Sequence, residues 1–193
     1  MTGGDYPGAV TAQKPQRKNL KNGDILSIHL KTDDYLFARV LDDYPLASGV
    51  AVLIDVYDVI LGSDDPEPAR PLLVPKNRLL PPTYAIWALC KEGFARTVAN
   101  WPLTTEDFAR PLKFISTSAD RGPESAEYVP GERSFRLVDR GIDSRFIVDE
   151  QDNPVSAPRP PYGRGGMRIA NDGRVAEWIT QTLEAGGPVH RLE

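Results

Sequence analysis

The chain has 193 residues, 40% of them apolar and 26% charged, with a formal net charge of −4. That length supports a real core, and the balance is that of a globular protein rather than a disordered or fibrous chain. An acidic balance argues against nucleic acid as a partner, because such binding rests on Lys and Arg neutralising phosphates. The longest apolar runs, Val50 to Ile54 and Tyr84 to Cys90, are far short of the roughly 20 residues a bilayer crossing takes, so no membrane is expected.

The opening text, "MTGGDYPGAVTAQKPQRKNLKNGD", has no apolar stretch resembling a secretion signal. Its Gly, Pro, Lys and Gln read as a mobile arm over residues 1–22, ahead of a single globular domain over 23–193. Cytoplasmic residence is the default expectation. Asn22-Gly23-Asp24 is a turn signal. After it, Leu26, Ile28 and Leu30 alternate with Ser27, His29 and Lys31, the period of a half-buried strand. Lys31-Thr32-Asp33-Asp34 reverses the chain, since Asp folds back on its own backbone in turns. A second strand runs from Tyr35 to Leu41 and stops at Asp42-Asp43-Tyr44-Pro45. A third, Val50 to Tyr57, carries consecutive apolar residues and reads as covered on both faces. Three strands with short links predict an antiparallel meander. Twisted sheets with one wet face tend to close on themselves, so a small SH3-like, barrel-type sheet is expected.

The Pro-rich passage over 62–82 reads as a surface excursion where a subdomain could change, with a short strand at Leu72 to Val74. Tyr84 to Asn100 fits either a strand near Ala85 to Cys90 or a short helix, the strand being favoured, with a break at Gly93. Thr104 and Asp107 mark a short helix ended by Pro111. "ADRGPESAEYVPGE" reads as a loop, and Ser134 to Val138 with Ser144 to Val148 as a hairpin. The last element is a helix capped by Asp172, with Val175, Trp178, Ile179 and Leu183 on one stripe and Gly186-Gly187 ending it. The predicted fold class is therefore α+β: a strongly bent N-terminal antiparallel sheet, an added hairpin and a C-terminal helix.

Catalytic and cofactor patterns are weak. His29 and His190 stand in no metal-ligand spacing with each other or with Cys90. Cys90 lies in an apolar run and reads as a small buried hydrophobe. The paired aspartates lack the alternating ligands and turn glycine of a calcium loop. "YGRGGMRIANDG" has no Gly-Lys-Ser/Thr opening its helix, and no serine lies in G-x-S-x-G. No enzyme activity, cofactor or metal is expected. Between Lys31 and Arg70, nine acids face three bases. Tyr35, Tyr44 and Tyr57 lie beside those acids, a mixture suited to interfaces, where aromatics anchor and charges steer.

"KNGDILSIHLKTDDYLFARVL" followed by "GVAVLIDVYDVI" resembles the opening of the immunity protein 26 family of bacterial polymorphic toxin systems. Gly23, Asp24, Ile25, Tyr35, Phe37, Arg39, Val40, Leu41, Asp55 and Tyr57 carry the likeness. It implies a non-catalytic inhibitor that binds a cognate toxin and occludes its active site. The acidic stretch would suit a basic, nuclease-like toxin. The expected partner-binding residues are Asp33, Asp34, Tyr35, Asp42, Asp43, Tyr44, Tyr57 and Asp58. An SH3-like adaptor or small-molecule-binding domain is the alternative.

Overall fold

The computed structural model describes residues 6, 8–43, 51–86, 88–108, 112–118, 122–129, 134–140, 147–148, 154–155, 171–186 and 189–192. The chain divides into two compact units. One comprises Met1–Asp107 with Ile169–Glu193, the other Phe108–Arg168.

The first unit is built on the predicted meander. β1 (Asp24–His29), β2 (Tyr35–Asp42) and β3 (Ala51–Leu61) pair antiparallel, with Ile28 opposite Leu36 and Val40 opposite Ile54. β4 (Arg78–Ile86) runs antiparallel to the first part of β3, from Ala51 to Tyr57. β5 (Arg96–Asn100) adds antiparallel to the outside of β1. α1 (Asp172–Glu184) packs against β4, and β11 (His190–Leu192) runs parallel to Val59–Leu61 of β3. β4 and β11 thus share one edge of β3 end to end.

This α+β sheet is open, which corrects the barrel expectation. β5 pairs with β1 and β4 with β3, and among the described residues no ladder joins them. The cause is visible in β1, where Asp24, Ile25, Leu26, Ser27 and Ile28 are all 1% exposed or less. Alternate residues of a strand point to opposite faces, so both faces are covered and closure would hide nothing more. One face packs Ile25, Phe37, Tyr57, Val59 and Leu61 against Ala69 and Leu73 of the Pro-rich passage. Leu26, Ile28, Leu36, Ala38 and Val40 point the other way and are equally buried. Each large aliphatic so placed contributes about 1.5–3 kcal/mol. The Pro-rich passage itself forms 3-10 turns at Glu67–Leu72 and Pro75–Asn77 in place of a strand at Leu72 to Val74. β4 then takes Pro81-Pro82 into an outer strand, where a missing N–H is tolerated.

Where a mobile arm was expected, residues 8–20 are docked. Val10 bridges Leu30, and Gln13 N–H donates to the Gly93 carbonyl. Gln16 acts as a side-chain strand at the outer edge of β5. Its Oε1 accepts from Thr97 N–H at 2.9 Å, and its Nε2 donates to Thr97 C=O at 3.4 Å. Leu20 and Tyr6 are buried, Tyr6 edge-on to Phe94. The polar composition hid this because most of the tie is made by backbone and amide groups rather than by apolar side chains. α1 is capped by Asn171, whose side chain accepts from Arg174 N–H, rather than by Asp172.

In the second unit, β6 (Leu112–Ser118), β7 (Gly122–Val129) and β8 (Ser134–Arg140) form an antiparallel meander, with Phe114 opposite Ala126 and Tyr128 opposite Phe135. β9 (Ile147–Val148) pairs with β10 (Pro154–Val155). The expected partner of Ser134–Val138 is thus replaced by the segment that read as a loop. Gly122 and Pro123 open that segment and masked the strand behind them.

Candidate functional site

The β1–β2 reversal ends the sheet in a charged corner. Leu30 N–H donates to the Asp34 carbonyl and Asp33 N–H to the Leu30 carbonyl, closing a tight turn. Asp33 sits in the left-handed region at φ 62°, a conformation Asp tolerates better than most residues. Its side chain is 97% exposed, 3.5 Å from His29 Nε2. The His29 ring stacks on Tyr35 at 4.8 Å between centroids, leaving Tyr35 half-buried and in reach of a partner. Asp34 Oδ2 accepts from Thr32 Oγ1 and from Arg191 Nη1, each at 2.9 Å. β11 therefore supplies a cation to this corner. Asp58 belongs to the same end of the sheet. It is 4% exposed, and its Oδ2 lies 4.0 Å from His190 Nε2. Burial pushes its carboxyl up from the usual carboxylate range, and His190 opposes that shift.

The other expected contacts do not gather here. Asp42 and Asp43 lie at the far end of β2, about 23 Å along the strand from Tyr35. Asp42 is buried, and Asp43 N–H donates to Asn22 Oδ1. Tyr57 is fully buried in the sheet core, which corrects its expected role as an exposed anchor. Its place in a long, mainly apolar strand was the signal for that burial. Tyr44 lies outside the described residues, as does the glycine-rich stretch up to Ala170.

What the sequence reading missed is a set of buried charges. Arg39 Nη1 donates to Asp107 Oδ1, and its Nη2 donates to the carbonyls of Trp101 (3.1 Å) and Pro102 (2.9 Å). Asp107 Oδ2 accepts from Thr104 N–H and Oγ1. On β3, Asp55 Oδ2 lies 2.8 Å from Arg78 Nη2, an ion pair turned off hydrogen-bond alignment. Burial pushes the Asp55 carboxyl up from its ordinary range, against the pull of Arg78. Burial likewise raises the Tyr57 hydroxyl beside it. A charge inside an apolar strand run, as in "LFARVL" and "VLIDVY", was the available signal, since buried charges are paired. Arg39 and Asp107 clamp the segment 101–107 to β2, and the Asp55–Arg78 pair bridges β3 and β4.

Other candidates yield no converging chemistry. The Cys90 thiol is buried, which raises it above its usual range and disfavours a nucleophilic thiolate. Among the described residues no three His, Cys, Asp or Glu side chains are grouped to hold a metal ion, and no helix is long and apolar enough to cross a membrane. An open cavity of about 250 Å³ is lined by Asp64, Asp65, Pro66, Arg96, Thr97 and Val98, with Arg96 and Asp64 loosely paired at 3.8 Å.

Fold and corner together define an α+β protein with an open, doubly covered antiparallel sheet whose exposed chemistry is charge and aromatic surface. The chain belongs to the immunity protein 26 family, whose model matches residues 21–124. No curated protein and no solved structure matches it.

Proposed function

We propose that this immunity protein binds a cognate toxin and neutralises it by occluding the toxin's active site, with the corner formed by Asp33, Asp34 and Tyr35 as part of the docking face. Family membership is the observation that carries this reading. The corner supports it by its construction: a protruding carboxylate, a stacked aromatic and a rigid turn. Such a surface steers a basic partner and lowers the entropy lost on docking. A basic, nuclease-like toxin met in the cytoplasm suits that charge. Asp42, buried, and Tyr57, sealed in the core, leave the proposed face; Asp58 serves it from behind by holding β11.

The test is co-purification from a host lysate at low and high salt, followed by expression of the retained polypeptide alone. Expected is a polypeptide that arrests growth by itself, and growth restored by co-expression of this chain but less well by its Asp33→Lys variant. A retained polypeptide without toxicity, or toxicity that this chain does not relieve, would sink the reading.

A further inference from the structure

We propose that His190 and Asp58 form a pH-sensitive clasp that holds β11 on the edge of β3. This device is independent of what docks on the protein. β11 is a three-residue parallel strand, too short for its ladder to hold it firmly against β3. Two side-chain ties reinforce it. Arg191 reaches Asp34 at 2.9 Å, and a guanidinium stays charged throughout the physiological range. The second tie is different in kind. His190 is half-exposed, 4.0 Å from an Asp58 carboxylate that is 4% exposed and whose Oδ1 has no hydrogen-bond partner. A buried, under-satisfied carboxylate gains most from a cation when one is present.

The charges on neighbouring elements are engaged elsewhere or held in solvent. Arg39 of β2 binds Asp107, Arg78 of β4 faces Asp55, and Arg191 of β11 binds Asp34. In the 3-10 turns Arg70 pairs with Glu67 and Lys76 is exposed. Of these groups, His190 is the one that acts on Asp58. Imidazole side chains as a class change charge between about pH 5 and 8, so a clasp built on an imidazole facing a carboxylate tightens on mild acidification. It opens again on further acidification, once Asp58 is itself protonated, a step that burial moves up from the ordinary carboxylate range.

The test is hydrogen exchange by mass spectrometry on the intact chain at pH 6.0 and 8.0, corrected for intrinsic rates. Expected is a two- to fivefold greater protection of residues 190–192 at pH 6.0, the range that a part-exposed charge pair supplies at about 0–1 kcal/mol. His190→Gln and Asp58→Asn should each abolish the difference while leaving β1 and β2 unchanged. Equal protection at both pH values in the parent chain, or a pH effect that survives in His190→Gln, would overturn the clasp. Should Asp58→Asn fold poorly, the half-exposed His190→Gln decides alone.

Discussion

Gly23 is held at φ 82° between two strands, its N–H donating to Val40 C=O and its carbonyl accepting from Trp101 N–H. A Cβ there would stand 2.2 Å from the Trp101 carbonyl oxygen, so Gly23→Ala combines backbone strain with a clash against main chain. We expect at least about 2 kcal/mol of lost stability, read as a lower urea midpoint at unchanged slope. Asp55 sets a second expectation at this scale. Its folded carboxyl titrates above the unfolded one, so the native state binds the extra proton. The contribution of this group to stability is then fullest below the ordinary carboxylate range and is lost as pH rises through the folded value. Asp55→Asn should remove that part of the slope, measured as unfolding free energy at a series of pH values; an unaltered slope would place the proton elsewhere.

At the scale of elements, the segment 101–107 rests Trp101 on the core and is further fixed by Arg39. Removing one partner of a buried pair strands the other. Arg39→Met should therefore cost about 3–5 kcal/mol through the orphaned Asp107, and Arg39→Met/Asp107→Leu should recover much of it. Denaturant melts of the two variants check this, and a double variant no better than the single would point to lost packing instead. The three-strand meander was legible in the sequence because period-two alternation and Asp-rich turns are local signals. The parallel insertion of β11 against β3 was not, since it joins positions 131 residues apart, as in His190 opposite Val59. The strand Gly122–Val129 was hidden by its Gly-Pro start, and the docking of residues 8–20 by polar groups whose partners lie far along the chain.

For the whole molecule, the residues that carry the family likeness are interior ones. Gly23, Asp24, Ile25, Phe37, Arg39, Val40, Leu41, Asp55 and Tyr57 are buried, and Tyr35 is half-buried. The text that identifies the family thus records a scaffold, and a partner would be read by other positions. Of the expected acids, Asp33 and Asp34 share the turn before β2 whereas Asp42 and Asp43 lie at its other end: acidity is visible in sequence, whereas the end of the strand it occupies depends on register. It also separates two otherwise similar variants. Asp33→Lys, at a side chain almost wholly in solvent, should leave the core intact, slow association with a basic toxin several-fold and flatten its salt dependence in stopped-flow mixing. Asp42→Lys replaces a buried carboxylate by a longer cation and should lower the melting temperature. If both variants altered association and neither altered melting, the burial of Asp42 would have to be abandoned.

The amide of Gln16 has a bearing on how this chain behaves in a crowded solution. A sheet margin with bare peptide groups is a template for fibril growth and for mispairing with neighbours. By engaging both backbone groups of Thr97, Gln16 removes one rung from that template at the β5 side, while Pro81-Pro82 interrupts it at the β4 side. A protein so finished at its margins can accumulate ahead of need without polymerising, and Gln16→Ala would be where that tolerance first fails.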